Sequence, residues 1–155
     1  MRLFTDQSMK RLTRRSLVTA ALALGVSGVA LADNDCSLKT LRGSYVFAAT
    51  GYNIVAGVAQ PVSIVEIIDF NGDGTLSVPA ATLSLNGVIV RLPPGGTGSY
   101  SVEKDCKGTI AFSSGQSLDI FISPEGRTLW MIQTNSNTVL QGTATRVSQL
   151  TRNLR

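Results

Sequence analysis

Between residues 43 and 146, short runs of β-branched, aromatic and small residues alternate with turns rich in glycine, asparagine and proline. No apolar repeat of helical period persists in this part of the chain. The pattern therefore predicts an all-β fold. We expect strands over residues 44–52, 62–70, 75–85, 88–92, 98–103, 109–113, 117–123, 127–134 and 138–146.

The turns between the predicted strands carry the residues that tight hairpins require. Asn-Gly at 86–87 and Asn-Gly-Asp-Gly at 71–74 favour the positive φ values of such turns. About eight or nine strands joined by hairpins form an antiparallel meander, and closing it into a barrel removes its free edges. We therefore expect residues 33–155 to form a single antiparallel up-and-down β-barrel, with a two-sheet sandwich as the alternative.

The first 32 residues have the pattern of a cleavable signal peptide. Basic residues precede a short apolar run at 17–24, and small residues follow, so cleavage is expected between Ala32 and Asp33. Arg14-Arg15, followed by Ser-Leu-Val, also resembles a twin-arginine signal; the general export route is the alternative. The apolar run is too short for a membrane span. We expect an exported protein, periplasmic or extracellular, with no stable membrane span after cleavage.

The positive charge of the chain is concentrated in this leader. The net charge is +4, and the first 32 residues hold five basic residues against one acidic residue. The remainder is formally neutral, whereas proteins that bind phosphate backbones carry an excess of lysine and arginine. The sequence therefore predicts no nucleic-acid partner, and it favours no particular oligomeric state.

Cys36 and Cys106 are the two cysteines of the chain. Export exposes them to an oxidising compartment, so a disulfide between them is the natural pairing. A lipid anchor at Cys36 is disfavoured because polar Asp33-Asn34-Asp35 precedes it. A metal pair is disfavoured because two distant thiols without histidine make an incomplete zinc shell.

The chain contains no histidine. This excludes Ser-His-Asp and Cys-His catalysis and leaves no imidazole acid or base near neutral pH. No cofactor is expected.

An acidic turn at residues 69–75 resembles the first half of a calcium loop. Asp69, Asn71 and Asp73 place oxygen ligands at alternate positions, but Ala80 stands where that loop needs a bidentate glutamate. We favour a hairpin turn whose Asn and Asp side chains cap their own backbone over a metal site.

Glu66 is the most unusual carboxylate because alternation places it on one strand face with Val62, Ile64, Ile68 and Phe70. A carboxylate in an apolar row must be paired, protonated or lining a cavity. It is a candidate general acid or base, or a contact for the polar end of a ligand. The alternative is that this row faces solvent and Glu66 merely interrupts a sticky strand.

Weaker candidates lie on other strands. Arg91 and Asp119 could each pair with Glu66 inside a barrel. Tyr45, Trp130 and Gln133 could contact a ligand, although aromatic residues on strands more often belong to the core.

The spacing of small motifs resembles a group of small exported bacterial proteins of uncharacterised function. The matching residues are Cys36, Leu41, Gly43 with Tyr45, Phe70 with Gly72 and Gly74, Thr97-Gly98 with Tyr100, and Asp105-Cys106 with Gly108-Thr109. The layout is also similar to β-barrels of the allene oxide cyclase and dirigent type. That likeness implies an eight-stranded barrel around an apolar cavity, and it places no catalytic residue.

Three functions fit these observations. The first is non-catalytic binding of a small apolar molecule inside the barrel. The second is a cyclase or isomerase that uses Glu66 with a tyrosine or Gln133. The third is a structural or surface-interaction module whose barrel is filled with side chains.

Overall fold

A computed structural model of the chain describes residues 35–148. The predicted signal peptide, its cleavage site and residues 149–155 lie outside this range. A short 3₁₀ helix, Leu38–Thr40, precedes nine strands. The strands are β1 (Arg42–Val55), β2 (Val58–Asn71), β3 (Thr75–Leu85), β4 (Val88–Leu92), β5 (Gly96–Val102), β6 (Lys107–Phe112), β7 (Ser117–Ile122), β8 (Thr128–Gln133) and β9 (Thr138–Ser148).

Eight of the strands close into an antiparallel barrel. The neighbours run in the order β2, β1, β9, β8, β7, β6, β5, β3, and β3 pairs back with β2. The ninth strand, β4, is an addition that pairs with β3 alone among the described strands. The predicted all-β, up-and-down barrel is therefore confirmed.

The strands differ in length, and this makes the two ends of the barrel unlike. β1 and β2 have 14 residues each, whereas β6, β7 and β8 have six. β5 pairs with residues 75–78 of β3, and β4 pairs with residues 81–85. One end of the barrel carries turns 113–116 and 134–137 and is called here the open end. At this end β1–β4 extend beyond the shorter strands as a projecting sheet.

The opposite end of the barrel, called here the capped end, is crossed by residues 36–41. Leu41 in this segment is fully buried. Below it, the ring of Phe70 meets Tyr45 and Tyr100 edge to face, with ring centres 5.2 and 5.0 Å away. Such edge-to-face pairs add to the stabilisation from burial. Side chains therefore fill this half of the barrel.

Hydrogen bonds of two tyrosine hydroxyls join the capping segment and the turns around it at the capped end. The Tyr45 hydroxyl donates to the Gly126 carbonyl at 2.5 Å. The Tyr100 hydroxyl accepts from the Gly72 amide at 3.0 Å and lies 2.9 Å from the Leu41 carbonyl oxygen, to which it donates. Burial raises the pKa of both hydroxyls, so both remain protonated donors at neutral pH.

A disulfide joins Cys36 to Cys106, with their Cα atoms 5.0 Å apart. The Cys36 amide also donates to the Lys104 carbonyl at 3.1 Å. The bridge holds the segment before β1 against the β5–β6 turn, which confirms the predicted pairing. Leu41, Tyr45, Phe70 and Tyr100 lie at the capped end together with this bridge. Most of the residues singled out by their motif spacing are therefore at that end of the barrel.

The first hairpin departs from the prediction. β1 continues to Val55, and β2 begins at Val58. Residues 53–61, which were expected to connect the two strands, therefore mostly belong to them. Their turn is Ala56-Gly57, with φ values of 48° and 77°. Alanine rarely adopts positive φ, and for that reason the sequence carries no turn signal here.

Within residues 35–148, no helix is long and apolar enough to cross a membrane.

Candidate functional site

Glu66 lies on the inner face of β2 and is 8% exposed. The register places Phe47 of β1 and Ala81 of β3 directly opposite it, and both are buried. Its neighbour Val65 is on the outer face and exposed. The alternative in which this row faces solvent is therefore wrong, and Glu66 points into the barrel.

The position of Glu66 along the barrel is close to the open end. Val78 is the last residue of β3 that pairs with β5, and Ala81, the partner of Glu66, lies three residues farther along β3. On the other side, Phe47 pairs with Ala144 of β9 inside the closed barrel. Glu66 therefore sits where the closed barrel gives way to the projecting sheet.

The Glu66 carboxylate has no hydrogen-bond or ion-pair partner among residues 35–148. Every fully buried side-chain oxygen in this part of the chain does have such a partner. The carboxylate oxygens of Glu66 must therefore keep contact with space that a water molecule can reach. The side chain is buried along its length and open to that space at its tip.

Burial raises the pKa of Glu66 to about 7, because the charged form is poorly solvated in this position. No charged neighbour contributes to the change. Around neutral pH the group is thus divided between its protonated and ionised forms. A carboxyl group in this condition can donate or accept a hydrogen bond, or transfer a proton.

The inner face of the projecting sheet is apolar, apart from the pair Asn53 and Gln60, and it is incompletely covered. Glu66 pairs with Ala81, and Ala81 pairs on its other side with Leu92. Leu92 is therefore two strands from Glu66, a distance of about 10 Å. Leu92 is 47% exposed. The other exposed apolar residues of this inner face are Val55, Val58, Leu85 and Val88. Glu66 is therefore next to an apolar surface that nothing in residues 35–148 covers completely.

Arg91 and Asp119 do not join Glu66 inside the barrel. Arg91 pairs with Thr82 on the outer face of the projecting sheet. Asp119 alternates with the buried Leu118 and Ile120, and so it faces outward. Both are exposed. Their predicted pairing with Glu66 is wrong because the strand parity that turns Glu66 inward turns these two residues outward.

The other residues predicted to contact a ligand also lie apart from Glu66. Tyr45 faces inward but belongs to the hydrogen-bonded network of the capped end. Gln133 is half-buried at the open end of β8, where its amide donates to the Asn135 side chain at 3.1 Å. Trp130 is on the outer face and 53% exposed. Of the predicted set, Glu66 is the residue that the strand register links to the inner face of the projecting sheet, through Ala81 to Leu92.

Trp130 lines a groove of about 590 Å³ on the outside of the barrel. Phe121 and Ile132 stand beside it on one side, and Val65 lies on the other. Register places the small Ala48 between these larger residues. The groove and Glu66 are on opposite faces of one sheet, so they are two separate candidate sites.

The acidic turn is held by its own side chains. Asp73 accepts hydrogen bonds from the Thr75 amide at 3.0 Å and hydroxyl at 2.7 Å, which lower the pKa of Asp73. Asn71 donates to the Thr75 hydroxyl, and Asp69 accepts from Ser44. Asp73 thus caps the backbone of its own turn, whereas Asn71 and Asp69 bond to side chains. Within the described residues no group of three or more His, Cys, Asp or Glu side chains is placed to hold a metal ion.

Sequence reasoning found Glu66 but missed the surface beside it. Both faces of the sequence 88–92 are apolar except at Arg91, and alternation therefore did not show which residues face the barrel. The register with β3 decides this. The outer groove likewise depends on which residues of five strands come side by side, a relationship that no single stretch of sequence contains.

Comparison with protein-family models, with curated proteins and with solved structures finds no match to this chain.

Proposed function

We propose that this protein is exported and binds a small apolar molecule at the open end of its barrel, with Glu66 at the molecule's polar end. One observation carries the proposal. The Glu66 carboxyl is buried among apolar side chains, has no partner within residues 35–148, and still reaches solvent-accessible space. A group placed in this way is costly to the folded state unless a ligand or water satisfies it.

The exposed apolar residues on the projecting sheet support the same site. Ligand sites are typically concave and mostly apolar, with a few polar groups that fix orientation. The inner faces of β3 and β4 supply the apolar part, through residues such as Leu85 and Leu92. Export is supported by the charge pattern of the leader and by the disulfide, a bond typical of oxidising compartments.

Binding is favoured over a cyclase or isomerase activity because the other groups proposed for such catalysis are already hydrogen-bonded within residues 35–148. The Tyr45 and Tyr100 hydroxyls are both engaged at the capped end. Gln133, the other proposed helper, is hydrogen-bonded to Asn135. General acid–base catalysis usually pairs a group such as Glu66 with a second positioned one.

The test is binding of the apolar fluorescent probe N-phenyl-1-naphthylamine to the purified protein and to three variants. Leu92→Asp places a charge on the inner face of β4, and Ile89→Asp places the same charge three residues earlier on the outer face. The two side chains are similarly exposed, 47% and 54%, so neither change removes a buried contact. Trp130→Ser alters the outer groove.

We expect Leu92→Asp to weaken probe binding about fivefold or more, because covering the exposed half of a leucine side chain is worth about 0.7–1.5 kcal/mol and a charge there resists burial. Ile89→Asp and Trp130→Ser should bind like the unaltered protein. Loss of binding in Trp130→Ser alone would place the ligand in the outer groove and overturn the proposed site. Absence of any saturable probe binding would overturn the proposed function and favour a structural role.

A further inference from the structure

We infer that the molecule bound at the open end is an organic cation, an apolar chain or ring that carries a protonated amine. This inference rests on the proposed function and identifies the chemical class of its ligand. It follows from the negative charge of Glu66 at the site and from the lack of a free cation opposite it within residues 35–148.

The first step concerns the charges on the inner face of the barrel. Within residues 35–148, the other titratable side chains on this face are Tyr45 of β1, Tyr100 of β5 and Arg146 of β9. The strand β3, which packs beside Glu66, presents none. All three groups lie at the capped end and are hydrogen-bonded there. The single cation among them, Arg146, is thus already bound to protein oxygens.

The second step concerns what Glu66 needs. A buried carboxylate without a partner is unfavourable, and an opposite charge brought beside it relieves that cost for both groups. A charge-assisted hydrogen bond is also about twice as strong as a neutral one. An amine on an apolar ligand supplies the missing cation and at the same time covers the exposed apolar surface around Leu92.

The third step concerns the ligands that this arrangement disfavours. A ligand carboxylate or phosphate would be repelled by the ionised Glu66 carboxylate, or would force Glu66 to stay protonated. A neutral alcohol or ketone is tolerated, but it gains only a neutral hydrogen bond or leaves the ionised carboxylate unpaired. The site therefore selects among molecules of similar size by charge, in the order cation, neutral molecule, anion.

The experiment is displacement of N-phenyl-1-naphthylamine at about pH 8, where Glu66 is mostly ionised and alkylamines are protonated. The competitors are octylamine, 1-octanol, octanoate and N-octylacetamide, which share one alkyl chain and differ in the polar end. We expect octylamine to displace the probe at a concentration about tenfold below that of octanol. N-octylacetamide should behave like octanol, and octanoate should be weakest.

Glu66→Gln is the matched variant, since it keeps the shape of the side chain and removes its charge. In this variant octylamine should lose its advantage while octanol is unaffected. Asp119→Asn removes an exposed carboxylate from the outer face and should leave the order unchanged, which separates Glu66 from general attraction of cations.

Two results would overturn the inference: equal displacement by octylamine and octanol in the unaltered protein, or an amine advantage that persists in Glu66→Gln. If either occurs while the probe still binds and Leu92→Asp still weakens it, the binding function stands and only the ligand class is wrong. The amine is compared with octanol and with its acetylated form in the unaltered protein, so the first of these two results does not depend on any variant folding.

Discussion

Arg146 reaches Tyr45 across the capped end of the barrel: its Nε atom donates to the Tyr45 hydroxyl at 2.9 Å, and its guanidinium carbon lies 5.3 Å from the centre of the tyrosine ring. The same guanidinium donates through Nη2 to the Thr40 carbonyl at 2.6 Å. One side chain near the end of β9 therefore fixes both the first strand and the segment that precedes it.

Tyr45→Phe should destabilise the protein by about 1–3 kcal/mol. The change removes the donor to the Gly126 carbonyl and the acceptor for Arg146, and it leaves these buried or half-buried groups unsatisfied. Urea unfolding followed by circular dichroism measures the effect. Tyr52→Phe, at an exposed position, is the control. Equal midpoints for the two variants would show that the hydroxyl of Tyr45 contributes nothing to stability.

Glu66→Gln should stabilise the protein, and the gain should grow with pH. The pKa of Glu66 is raised from 4.5 to about 7 in the folded state. Between these values the unfolded chain has released the proton that the folded protein still holds, so ionisation favours unfolding increasingly as pH rises. Above about pH 7 the penalty is constant, at most about 3 kcal/mol.

The measurement is the difference in unfolding free energy between Glu66→Gln and the unaltered protein at several pH values. The gain should be near zero around pH 4 and largest above about pH 7. Asp119→Asn provides the control for a change of charge on the outer face. A gain that does not vary with pH would contradict the raised pKa and, with it, the burial of an unpaired carboxyl.

Replacing both Cys36 and Cys106 with serine should reduce stability by about 4 kcal/mol, the chain-entropy estimate for a loop of this length. The bridge spans 70 residues, so the unfolded chain loses much of its freedom while the bond is intact. Thermal unfolding with and without reductant measures the effect. Intact mass should rise by about two units on reduction; no rise would mean that the bridge had not formed.

Gly126→Ala should be more destabilising than Gly87→Ala. Both glycines have positive φ, 62° and 85°, so each substitution strains the backbone. A Cβ atom at position 126 would lie 2.2 Å from the Thr40 carbonyl oxygen, whereas position 87 has open space around it. The difference between the unfolding free energies therefore isolates the contact with the capping segment. Equal losses would indicate that the segment moves aside at no cost.

Much of the fold could be predicted because turn residues mark most of the strand boundaries. Asn86-Gly87 and the turn at 71–74 gave the correct limits of β3. The first hairpin was predicted too short because Ala56 occupies a position that asparagine or glycine usually takes. Alternation placed Glu66 in an apolar row but left open whether that row faces the barrel or the solvent, and the burial of the row decides it.

The rest of the site depends on relationships between strands. Whether Arg91 faces inward is decided by its pairing with Thr82, and both neighbours of Arg91 are apolar, so the local pattern gives no preference. Trp130 is a large aromatic residue on a strand, which usually indicates core, but the parity of β8 assigns the interior to Leu129 and Met131. Register of this kind arises only when the barrel closes.

The first and last described residues, Asp35 and Ser148, both lie at the capped end, since Cys36 is bonded to the β5–β6 turn and Ser148 pairs with Ser44 at the start of β1. Any attachment made through either described terminus, whether a purification tag, a surface linkage or a fused domain, therefore joins the barrel at the end opposite Glu66. An immobilised protein would present its open end to the solution.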